Sequence, residues 1–77
     1  MYSGKVVRMI YTLGHNLRML RFKINLTQPQ VAKQVDINVR ALSEFERDKR
    51  FPNKEQLEKL AEFYGVSVED ILVGTNE

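Results

Sequence analysis

The stretch from Thr27 to Arg50, TQPQVAKQVDINVRALSEFERDKR, decides how this chain folds. Thr27 is placed to accept a hydrogen bond from the backbone N–H of Gln30, and the Gln30 side chain can reach back, as in a capping box. Leu26 and Val31 flank that start at staple positions. Pro29 falls in the first turn, where a missing N–H costs nothing. Val31, Ala32 and Val35 put apolar groups on one side, and the small Ala32 lets another helix approach. Asp36 then falls at a corner where left-handed backbone is expected; Gly would be easiest there and Asp is tolerated. Ile37 turns inward, and Asn38 is a good N-cap for a second helix, with Ile37 and Leu42 as its staple. Leu42 and Phe45 form the buried stripe of that helix. Val39, Arg40, Ser43 and Glu44 face the other way, and a basic loop follows.

The same start signals recur outward from this corner. Asn53 has Gln56 three residues on, and Ser67 has Asp70 three residues on, with Val66 and Ile71 as a staple. Gly65 follows the apolar pattern of Leu57, Leu60, Ala61 and Tyr64, where a left-handed helix end is expected. These signals predict helices at roughly 13–23, 28–34, 39–46, 54–64 and 68–72, an all-α, five-helix domain over 13–72 with a short tail at 73–77. Residues 1–12 leave two readings open. The spacing of Val6, Ile10, Leu13, Leu17, Leu20 and Ile24 suits one helix from about Ser3 to Lys23, with Gly14 counting against it by roughly 1 kcal/mol relative to Ala. The other reading is a separate arm before the first helix.

A chain of 77 residues makes one small domain, and 43% hydrophobic residues are enough for its core. There is no cysteine, so disulfides, thiolate nucleophiles and cysteine metal sites are excluded. No apolar run approaches the ~20 residues of a membrane span, and the N-terminus lacks the apolar block of a signal peptide. The expected location is the cytoplasm. The net charge of +2 hides an asymmetry: residues 1–50 carry ten Lys/Arg against four acids, and residues 51–77 carry two against six. A basic half fits a polyanion partner, and it equally fits a solvated surface with chance clustering.

A helix held by one face and open at its N-terminal outer face suits the major groove of double-stranded DNA. Arg40 can donate a bidentate pair to guanine O6 and N7, Glu44 can accept from cytosine N4, and Val39 can pack on a thymine methyl. The competing reading is an i,i+4 ion pair between Arg40 and Glu44, worth ~0.3–0.5 kcal/mol. Val39, Arg40, Ser43 and Glu44 are the candidate base-reading residues. Gln28, Asn38, Arg47, Lys49 and Arg50 are candidates for phosphate contact and positioning; two of them open helices, where free N–H groups and the helix dipole suit phosphate.

These residues bring out a resemblance. L-G-x-x-L-R-x-L-R from Leu13, L-T-Q from Leu26, E-R-x-K-R-x-P from Glu46, L-x-x-L-A from Leu57 and G-V-S-V-E-D-I-L from Gly65 stand in the order and spacing of the Cro and lambda-repressor-like, or XRE-type, helix-turn-helix family. The matching stretch, Leu13 to Leu72, is 60 of the 77 residues. The resemblance implies a five-helix DNA-binding domain that binds an inverted repeat as a dimer. It places Gln28 at a phosphate and base-positioning site, Val39, Arg40 and Glu44 at base-reading sites, and Asn38 at a backbone-contacting one. It also implies a structural ion pair between Arg21 and Glu46. Asp36 and Asp48 stand where the family prefers Gly, and Pro29 is unusual at its position.

The leading functional expectation is a transcriptional regulator, a repressor, acting as a homodimer. Dimer contacts could use Phe63, Val68, Leu72 and Val73, or Val6, Val7 and Tyr11; the same residues could instead complete a monomer's core. The alternative is an antitoxin or other regulator that binds a protein partner or antagonist through the acidic C-terminal half. An enzyme is not expected. His15 is the sole histidine, and no nucleophile, metal-ligand or Gly-rich phosphate-loop pattern surrounds it. No cofactor or metal is implied.

Overall fold

The side chains that the sequence offers as helix caps make the caps. The computed structural model describes residues 11–74. Within them lie five α-helices and no strand: α1 Leu13–Lys23, α2 Gln28–Val35, α3 Val39–Glu46, α4 Lys54–Tyr64 and α5 Val68–Val73. Complete capping boxes start α2 (Thr27 with Gln30), α4 (Asn53 with Gln56) and α5 (Ser67 with Asp70). Each satisfies two N–H groups that the helix itself cannot pair. Asn38 Oδ1 caps α3 by accepting from the N–H groups of Arg40 at 2.8 Å and Ala41 at 3.4 Å.

Helix ends follow the same logic. Asp36 takes the left-handed conformation (φ 57°, ψ 48°), and Ile37 N–H returns to the Ala32 carbonyl at 3.0 Å. The bond satisfies an orphan carbonyl and drives Ile37 into the core. Gly65 ends α4 in the same way at φ 72°. Two ends differ from expectation by one residue: α2 runs to Val35 and α5 to Val73.

An uninterrupted helix from Ser3 to Lys23 does not form. Thr12 has extended backbone (φ −104°, ψ 170°), and its hydroxyl accepts from His15 N–H at 3.1 Å. The three-four apolar spacing runs through this point, but a local cap and a glycine at the second helical position start the helix afresh. The remainder of the N-terminal extension lies outside the described residues.

Leu17, Val31, Leu42, Phe45, Leu60 and Ile71 are fully buried and come from all five helices. Each such side chain contributes about 1.5–3 kcal/mol of burial free energy. α1 packs on α3 and α5, α2 on α3 and α4, and α4 on α5. α3 is thus clamped from two sides. Asn16 adds a polar lock, its Nδ2 donating to the Ile71 carbonyl at 2.8 Å, which ties α1 to α5.

Candidate nucleic-acid interface

The inner face of α3 is fixed before its outer face can serve any purpose. Leu42, Phe45 and Glu46 have no exposed surface. Glu46 is a buried carboxylate, and such a group is tolerated only when paired and hydrogen-bonded. Arg21 Nε donates to its Oε2 at 2.8 Å, and Arg21 Nη2 donates to its Oε1 at 2.9 Å. Gln28 Nε2 adds a third bond to Oε1 at 2.9 Å. Donating these hydrogen bonds to Glu46 is the main reason the Arg21 guanidinium holds its proton even more firmly than usual.

Arg18 joins this cluster, donating from Nη1 to the Glu46 carbonyl. It satisfies one of the orphan carbonyls at the end of α3. Arg18 and Arg21 therefore make contacts within the fold, and the Arg21 charge is paired with Glu46. Tyr64 lies beside the same cluster. Its hydroxyl is buried without a hydrogen-bond partner among the described residues. Burial foremost, and the Glu46 charge next, push its pKa up to about 12.

The outer face of α3 presents the expected residues. Val39 is 43% exposed and the Arg40 side chain 86%. Ser43 and Glu44 are half-buried on the same face. Both readings of Arg40 and Glu44 have a place in this geometry, because Arg40 Nε lies 3.8 Å from Glu44 Oε2 and most of the guanidinium still faces solvent. Arg47, Lys49 and Arg50 are exposed in the loop that follows. Lys49 N–H returns to the Glu44 carbonyl at 2.8 Å, which holds the loop against the helix end.

Asp48 does something the sequence does not reveal. Its carboxylate accepts from Thr12 Oγ1 at 2.6 Å and from Gly14 N–H at 3.0 Å. The acid in the basic loop thus caps α1 from across the domain, where the helix dipole favours it. A Cβ on Gly14 would stand 2.7 Å from the Phe45 and Glu46 carbonyl oxygens and from Asp48 Oδ2, so only glycine permits this approach. Phe51, beside the loop and 66% exposed, is a second feature that sequence reading passes over.

Gln28 stands at the first turn of α2 with its amide on Glu46, leaving its side-chain oxygen and a second N–H available. Asn38 spends its side-chain oxygen on the α3 cap. The structure thus seats the start of α2 on Glu46 at the end of α3, and brings Arg50 of the basic loop beside Asn38, Arg40 and Glu44 on α3's outer side.

Comparisons with known proteins identify the family and the fold. A family model described as a helix-turn-helix domain matches residues 12–72. The HTH-type transcriptional activator BcrR of Enterococcus faecalis is 38% identical over 61 residues, covering 79% of this chain and 30% of that protein. The HTH-type transcriptional regulator ImmR of Bacillus subtilis is 39% identical over 66 residues, covering 86% of this chain and 51% of that protein. The chain thus spans about a third to about half of the length of these relatives. The P22 c2 repressor, solved in complex with a synthetic operator, superposes with a TM-score of 0.79 at 30% identity, covering 83% of this chain and 97% of that one. The chain belongs to the lambda-repressor-like, XRE-type helix-turn-helix family.

Proposed function

We propose that the chain binds double-stranded DNA sequence-specifically, with α3 in the major groove, and regulates transcription in the cytoplasm. The observation that carries this reading is the division of α3. Its inner face is locked by Leu42, Phe45 and Glu46, and its outer face offers Val39, Arg40, Ser43 and Glu44 beside exposed cations. Arg40 is the principal base reader, with Val39 and Ser43 completing the contact. Gln28, Asn38, Arg47, Lys49 and Arg50 position the domain on the phosphates. The similarity to a repressor solved on its operator supports the docking mode.

In this reading two copies bind an inverted repeat, with recognition helices about 34 Å apart, one turn of DNA. Leu72 and Val73, exposed at the end of α5, supply apolar surface for the pairing. Repression needs only occupancy of the site. The test is selection from random duplex DNA at near-physiological salt, because affinity is uninterpretable without salt control. An enriched inverted repeat is the expected result. The absence of any enriched sequence would overturn the reading.

A further inference from the structure

Glu44 sits between two cations from different segments. Its Oε2 is 3.8 Å from Arg40 Nε, one turn back on α3, and its Oε1 is 3.6 Å from Arg50 Nε in the following loop. These are charge contacts, longer than hydrogen bonds. With Asn38 and Ala41, the three side chains rim one shallow depression on the outer face of α3. The carboxylate is 27% exposed, against 86% and 55% for the two guanidiniums. The acid is thus the more buried member of both contacts.

We propose that Glu44 is a positioning residue that sets specificity by keeping Arg40 off the phosphates. This rests on the DNA-binding reading above and deepens it. Non-specific binding is driven by cations that displace counterions from phosphate. To reach a phosphate on an arbitrary duplex, Arg40 must swing away from Glu44 and leave the carboxylate facing a polyanion. To reach a base edge it extends along α3 and keeps its acidic neighbour. The loss of the pair therefore falls on the non-specific mode alone, and Glu44 acts by disfavouring the wrong complex. Arg50, held on the other carboxylate oxygen, brings the basic loop under the same restraint.

The test compares the wild-type chain with Glu44→Gln on a selected duplex and on a scrambled duplex of equal length, across a salt series. Glu44→Gln keeps the side-chain shape at a partly exposed position that makes no side-chain hydrogen bond among the described residues, so folding is preserved. The expected result is severalfold tighter binding to the scrambled duplex. Its salt slope should steepen by about one phosphate contact, and the ratio of selected to scrambled affinity should fall. In an Arg40→Ala background the same substitution should have a smaller effect on the scrambled duplex. A wild-type chain with no preference among duplexes would overturn the DNA-reading proposal itself. A preference that is present in the wild type and undiminished in Glu44→Gln would overturn the role of Glu44 alone. So would a change of preferred base at one position, which would make Glu44 a direct reader.

Discussion

Arg21 and Glu46 form a bidentate pair, with bonds of 2.8 and 2.9 Å, that joins the last turns of α1 and α3 across the core. Glu46 is fully buried, so truncating its partner leaves an unpaired charge there. Arg21→Ala is expected to cost about 3–5 kcal/mol, a large share of the roughly 5–15 kcal/mol that stabilises a typical domain. Urea unfolding measures it. Arg21→Met combined with Glu46→Leu should recover much of the loss, because apolar replacements of a buried pair are often neutral. A loss under about 1 kcal/mol for the single variant would contradict the pair's structural role.

Gly14→Ala runs against helix propensity. In an open helix alanine would gain about 1 kcal/mol over glycine. Here its Cβ would press on two carbonyl oxygens of α3. The backbone cannot give way as a side-chain tip can, so a net loss of about 1–3 kcal/mol is expected. Thermal melting of the variant decides the sign.

Asp36 and Asp48 share the left-handed conformation, with φ of 57° and 60°, yet they should respond oppositely to glycine. Asp36→Gly relieves a strained residue whose cap is made by backbone groups, and stability should hold or rise by up to about 1 kcal/mol. Asp48→Gly relieves the same strain but removes the bonds to Thr12 and Gly14. A net loss of about 1–2 kcal/mol is expected, since hydrogen bonds to charged groups contribute ~1.5–3. Equal responses in denaturant melts would contradict the capping role of Asp48.

Tyr64 gives the domain an alkaline limit. Its folded pKa of about 12 lies above the ordinary 10, so the folded state keeps a proton that the unfolded state releases. Stability is fully present below pH 10 and should decline as pH rises from there towards 12. Tyr64→Phe removes both the titration and a buried hydroxyl that has no hydrogen-bond partner among the described residues. It should melt no lower than the wild type at pH 7 and flatten the decline above pH 10. An unchanged alkaline profile would place the titration on another group.

Local chemistry was legible in the sequence, and distant pairing was not. Thr27 with Gln30, Asn53 with Gln56 and Ser67 with Asp70 are contacts three residues apart, so spacing alone reveals them. Asp36 was legible as a corner because an inward Ile37 must follow it. Asp48 reads as one more charge in a basic loop, and its real partners lie 34 and 36 residues away. Gln28 on Glu46, and Arg18 on the end of α3, are also long-range. Thr12 was obscured by an apolar rhythm that continues across it. The outer face of α3 was legible because Leu42 and Phe45 fix which side is inner. Which outer residues touch a base depends on the partner, which the fold does not encode.

The most direct measurement repeats the selection from random duplex DNA with Arg40→Ala beside the wild type, at the same near-physiological salt. The wild type should enrich an inverted repeat with half-sites about one turn apart. Arg40→Ala should lose preference at one base pair in each half-site, by about 1–3 kcal/mol, and keep the rest. An identical repeat enriched by both chains, or no repeat enriched by either, would contradict a recognition role for the outer face of α3.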